Sequence, residues 1–154
     1  MKITSKMIEV VNFCAKHLAD QGRPCRDEDG ACCYFDKETG NKCVVGCLIP
    51  ATLYDNYADG KHEMGNKLEA ESAHSLFDSR DFPEVADHLK SLIEEGEEVS
   101  ITFYSVLQGY HDGNCGDGYS FDNDLLELLS DEETCKLIAM HIFETLENAH
   151  VPGL

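Results

Sequence analysis

Residues 5 to 20 place Ile8, Val11, Ala15 and Leu18 three and four apart, with Lys6, Glu9, Lys16 and Asp20 off that face. This is the period of a helix with one apolar side. Gly22 and Pro24 close it. The period then changes. ACCYF and KCVVG are short β-rich runs around DKETGN, whose Gly and Asn suit a turn, so a β-hairpin is predicted over residues 31 to 46. Pro50 suits the first turn of a short helix, ATLYDNY, which ADG ends. Residues 67 to 78 carry a weaker helical pattern. Asp81 and Glu84 make a capping box ahead of Val85, Leu89, Leu92 and Ile93. EEGEE breaks that helix, and Ser100 is placed to cap the next, with Phe103, Val106, Leu107 and Tyr110 at helical spacing. After the glycine-rich HDGNCGDGYS, Asp122 caps DLLELLS. Ser130 and Glu133 then open a last helix that turns Leu137, Met140 or His141, and Leu146 inward. The predicted class is α+β: one mostly helical domain over residues 1 to 154, with one small β-hairpin in its N-terminal third.

Composition narrows the partners. The chain has 154 residues, enough to bury a core without disulfides. Its 12 basic and 30 acidic residues give a net charge of −18. The asymmetry is steeper at the C-terminal end, where Lys136 is the one basic residue after Lys90. Such a surface repels nucleic acid and anionic membranes and favours a basic partner. No run reaches the roughly 18 apolar residues of a membrane span. Glu9, Asn12, Lys16 and His17 interrupt the N-terminal apolar positions, unlike a signal peptide. The expected location is the cytoplasm, where the eight cysteines (14, 25, 32, 33, 43, 47, 115 and 135) stay reduced. An oxidising compartment would instead open disulfides to the six outside the helical patterns of Cys14 and Cys135.

Cys33, Cys43 and Cys47 stand on the two runs of the predicted hairpin and the turn after them. Three thiols at that spacing suit zinc, with a fourth ligand among Cys32, Cys25, His62 and His111. Against zinc, no C-x2-C occurs, and Cys32 and Cys33 point to opposite faces of a strand. Buried free thiols filling a tight space under the first helix are the plainer reading.

The segment CCYFDKETGNKCVVGCLIP, with LQGYHD further on, resembles a set of small phage and bacterial proteins. These carry a C-x-Y segment, a Gly-Lys-Cys-Ala-(Val/Ile)-Gly-Cys-Leu-Ile-Pro run and a helical Leu-Gln-x-x-His-Asp. Cys33, Cys43, Gly46, Cys47, Leu48, Ile49 and Pro50 match, as do Leu107 to Asp112. The chain departs from that pattern at Asn41 and Val44 and adds Cys25, Cys32 and Cys115. The resemblance implies a phage-type accessory protein, acting in a host cytoplasm if phage-encoded, and it implies no activity.

Cys47, His111 and Asp112 supply the residue types of a thiol hydrolase: nucleophile, base and orienting carboxylate. Their weakness is that neighbours on a helix point to different sides, and His–Asp at a helix end also serves the dipole and the turn. Asp112-x-Asn114 begins like a calcium loop, but Asp117 replaces the glycine at its sixth position and Asn123 the glutamate at its twelfth. Gly113, Gly116 and Gly118 form no nucleotide-binding fingerprint.

Carboxylates gather from Glu94, Glu95, Glu97 and Glu98 through Asp117, Asp122 and Asp124. Solubility is the ordinary role of such a face. Its sharper role is to imitate nucleic-acid charge and occupy a basic site on a partner protein. Tyr104, Tyr110, Tyr119 and Phe121 are candidate aromatic anchors beside it. The function expected from the sequence is therefore a non-enzymatic, acidic accessory protein, zinc-stabilised or nucleic-acid-mimicking, that binds and modulates a host or phage protein, with inhibition the expected form. The alternative is a small thiol-dependent hydrolase using Cys47 with His111.

Overall fold

The computed structural model describes residues 3–26, 32–62, 64–112, 115–116, 120–121, 140–142, 144–145 and 148. Among them are helices α1 (Ser5–Gln21), α2 (Ala51–Asp55), α3 (Ala73–Asp78), α4 (Pro83–Ile93) and α5 (Glu97–Asp112). Two 3-10 turns, Gly46–Leu48 and Lys67–Ala70, join them, and residues 140 to 142 are helical as well. The two-residue strands β1 (Cys115–Gly116) and β2 (Ser120–Phe121) pair antiparallel, with Cys115 opposite Phe121.

The fold is mostly helical, which corrects the expected α+β class. No β-hairpin forms among the described residues of 31 to 46; the pairing there is the isolated bridges Arg26↔Cys32 and Phe35↔Lys42. The two runs share main-chain bonds from the Cys43 N–H to the Tyr34 carbonyl at 3.2 Å and from the Asp36 N–H to the Asn41 carbonyl at 2.9 Å, but side chains of α1 take other backbone groups of the second run. Gln21 accepts from the Lys42 N–H at 2.8 Å and donates to the Lys42 carbonyl at 3.1 Å. Cys14 donates to the Val44 carbonyl at 3.2 Å. The chain then curls, with Cys47 N–H bonded to the Cys43 carbonyl at 2.9 Å, into the 46–48 turn. These groups are satisfied without a continuous ladder, so the β-propensity of the segment yields bridges and no strand.

Helix α1 starts where the Thr4 side chain accepts from the Met7 N–H and stops at Gly22, which adopts φ 84°. It buries Met7, Val10, Val11, Cys14, Ala15 and Leu18. Ile8, expected inside, is 38% exposed, because the buried stripe is anchored on Met7. Helix α4 has Phe82 as its cap and Pro83 in its first turn. The Asp81–Glu84 box does not form; the Glu84 carboxylate accepts instead from the Tyr57 hydroxyl. Ser100 lies inside α5 and is buried, so it caps nothing. The expected caps at Asp122 and Ser130 lie outside the described residues.

Residues 102 to 109 of α5 are buried without interruption, which makes it the central helix, packed against α3 and α4. Tyr104 is fully buried there, stacked on Phe77 and edge-on to Phe103. It is therefore core and no surface anchor. Its hydroxyl donates to the Leu89 carbonyl at 2.6 Å, tying α5 to α4. Tyr104→Phe is expected to cost about 1 kcal/mol, seen as a lower urea midpoint at unchanged slope.

Candidate functional site

The thiols separate into distinct settings. Cys25 and Cys33 are buried with their sulfurs 3.1 Å apart, and Cys25 also donates to the Asn41 carbonyl at 3.3 Å. Cys43 is buried between α5 and its own turn: its thiol donates to Gln108 Oε1 at 3.3 Å, and its sulfur accepts from the Gly46 N–H at 3.1 Å. Cys47 is half-buried, 3.9 Å from Cys14 and bonded to the Val44 carbonyl. Cys32, also half-buried, accepts from the Arg26 guanidinium at 3.0 Å. Burial raises the pKa of Cys14, Cys25 and Cys33, which keeps them protonated at neutral pH.

Cys33, Cys43 and Cys47 thus turn to different partners. Of the fourth-ligand candidates, His62 accepts from the Met64 N–H at 3.4 Å, within its own turn. Among the described residues no three His, Cys, Asp or Glu side chains are grouped to hold a metal ion. Cys14, Cys25, Cys32, Cys33, Cys43 and Cys47 form no disulfide, and the geometry fits the packing role better than the zinc one. Nor does the structure join the hydrolase residues. His111 is buried at the last turn of α5, where Nε2 accepts from the Cys25 N–H at 3.4 Å, while Cys47 faces Cys14. Asp112 ends α5, and Asp117, Asp122 and Asp124 lie outside the described residues.

On the outer side of α1 the chain leaves a groove of about 430 Å³, lined by α1, the 46–48 turn and the end of α4. Val10, Phe13, Cys47, Leu48 and Leu92 are its apolar lining, and Lys6, Glu9, Ser91 and Glu94 its polar one. Phe13 is 55% exposed, unusual for a phenylalanine on a helix that packs well. Lys6 is engaged with Glu9 at 3.5 Å, so the polar side is left with excess negative charge. Glu94 caps α4 at φ 54°, a left-handed position that glycine fills at less cost. Beyond it the α4–α5 turn adds Glu95 and the first turn of α5 adds Glu97 and Glu98, with Glu97 paired to Arg80 at 2.5 Å.

The sequence shows the acids at Glu94 to Glu98 and the thiols of CVVGC, but not the groove between them. Its signal was Phe13, a large aromatic set off the apolar stripe of α1. Among the described residues no helix is long and apolar enough to cross a membrane. No protein-family model, no curated protein and no solved structure matches this chain, so the phage-type resemblance gains no support from them.

Proposed function

We propose that this chain is a non-enzymatic cytoplasmic binding protein whose groove between α1 and α4 takes a basic, amphipathic helix of a partner protein and so blocks that partner. The observation that supports this most is Phe13, exposed beside Leu48 and Leu92 in a groove bordered by Glu94 and by Glu9, the latter paired to Lys6. An apolar floor with an acidic edge complements a helix that carries leucine-like anchors on one face and lysine or arginine beside them. The net charge of −18 adds long-range steering toward such a segment. Keeping glutamate at a left-handed cap, where glycine costs less, is consistent with a use for that charge.

Binding of a Lys/Leu-patterned amphipathic peptide, followed by fluorescence anisotropy, tests this reading. Phe13→Ala is expected to weaken binding about tenfold or more. Its melting behaviour should stay close to wild type, since an exposed side chain contributes within about 0.5 kcal/mol. Glu94→Lys should lower the association rate and flatten its salt dependence. Equal affinity for Phe13→Ala and wild type would refute the groove as the binding surface.

A further inference from the structure

The bridge Arg26↔Cys32 sets the register of the short antiparallel contact beside it. Moving one residue outward along both segments brings Cys25 opposite Cys33, and the Cys33 N–H indeed meets the Cys25 carbonyl at 3.5 Å. Directly opposed residues in antiparallel pairing have Cα atoms about 4.5–5.5 Å apart, inside the range of about 4.4–6.8 Å that a disulfide spans. The two sulfurs already lie 3.1 Å apart. Cys14 and Cys47 are 3.9 Å apart, on α1 and the 46–48 turn, with no backbone register between them. We propose that Cys25 and Cys33 are a built thiol pair that closes to an intramolecular disulfide by exchange with a low-molecular-weight disulfide such as oxidised glutathione.

The exchange has two steps. One cysteine of the pair, in the small fraction that has lost its proton, attacks one sulfur of the small disulfide, forms a mixed disulfide and releases one small thiolate. The other cysteine then loses its proton, and its sulfur attacks the first, forming the Cys25–Cys33 bond and expelling the second small thiolate. The two released thiolates take up the two protons from the cysteines. Two protein thiols are oxidised and one small disulfide is reduced to two thiols. Burial raises both thiols above the ordinary cysteine value, so the exchange runs through the small deprotonated fraction and is slow. Closure removes the Cys25 thiol as donor to the Asn41 carbonyl, so the segment facing α1 loses one of its contacts.

The test uses the full reduced chain, incubated with oxidised glutathione, alkylated under denaturing conditions and mapped by mass spectrometry after trypsin. Cleavage at Arg26 separates Cys25 from Cys33, so the disulfide appears as two linked peptides. Cys32 shares the Cys33 peptide, and the Cys32→Ser variant therefore decides which thiol is bonded. The expected result is loss of two alkylatable thiols and a linked species that persists in Cys32→Ser and vanishes in Cys33→Ser. Glutathione adducts without a linked species overturn the proposal. So does a link lost in Cys32→Ser, a link between Cys14 and Cys47 in place of this one, or retention of every thiol. Cys32→Ser leaves the proposed pair intact and separates these outcomes even where Cys33→Ser does not fold.

Discussion

Gly46→Ala is expected to cost about 3 kcal/mol or more, in the upper range of overpacking substitutions, and to leave little folded protein at 37 °C. A Cβ at this position would stand 2.0 Å from the Tyr34 carbonyl oxygen and 2.7 Å from its carbonyl carbon. Both atoms are backbone, so no side-chain rotation relieves the clash. Tyr34 cannot retreat cheaply either. Its N–H is bonded to Glu69 at 2.6 Å and its hydroxyl to the Glu71 carbonyl at 2.7 Å. The backbone of Gly46 does not lie in the left-handed region, so the cost is steric, and any side chain should incur it. Circular dichroism melts and urea titrations read the loss directly. A Gly46→Ala protein with wild-type midpoint would show that the 34–46 contact is not what closes this corner.

Glu69→Ala is the second large effect, with an expected cost of about 2–4 kcal/mol for stranding several donors on one acceptor. The carboxylate accepts from the N–H of Tyr34 at 2.6 Å, the N–H of Phe35 at 3.4 Å and the hydroxyl of Tyr54 at 3.2 Å. It thus takes backbone donors of the first run as Gln21 takes the backbone groups of Lys42 in the second. Burial raises its pKa above the ordinary carboxylate value, against the lowering effect of those donors. A raised carboxyl pKa means that the folded state binds the proton more tightly than the unfolded one. This component of stability is therefore fully present below the unfolded carboxyl pKa and is lost as pH rises through the raised folded value. The wild type should gain more unfolding free energy than Glu69→Ala as pH falls across that window. Parallel pH dependence in the two proteins would contradict this account of Glu69.

The helical skeleton was legible because periodicity of three and four reports a buried face, and α1 and α4 follow it closely. Val11, Ala15 and Leu18, and likewise Val85, Leu89 and Ile93, are buried as their spacing predicts. The local course of residues 31 to 46 was not legible, because β-rich composition does not say which groups will take a segment's backbone hydrogen bonds. Gln21, Cys14 and Glu69 take them here, from up to 35 residues away. Cysteine spacing was equally silent about direction: Cys33, Cys43 and Cys47 surround one corner yet turn to Cys25, Gln108 and Cys14. The groove was not legible because it is formed by α1, the 46–48 turn and the end of α4 together, and no single stretch of sequence contains it.

The central claim is that the groove recognises a basic amphipathic helix through its apolar floor as well as its charge. Nuclear magnetic resonance titration with a Lys/Leu-patterned peptide of about four helical turns tests this most directly, against a scrambled peptide of the same composition. The account predicts saturable shifts centred on Val10, Phe13, Leu48 and Leu92 for the patterned peptide, and weaker, scattered shifts for the scrambled one. Equal binding of both peptides, with shifts spread over the acidic surface and none at Phe13, would contradict it.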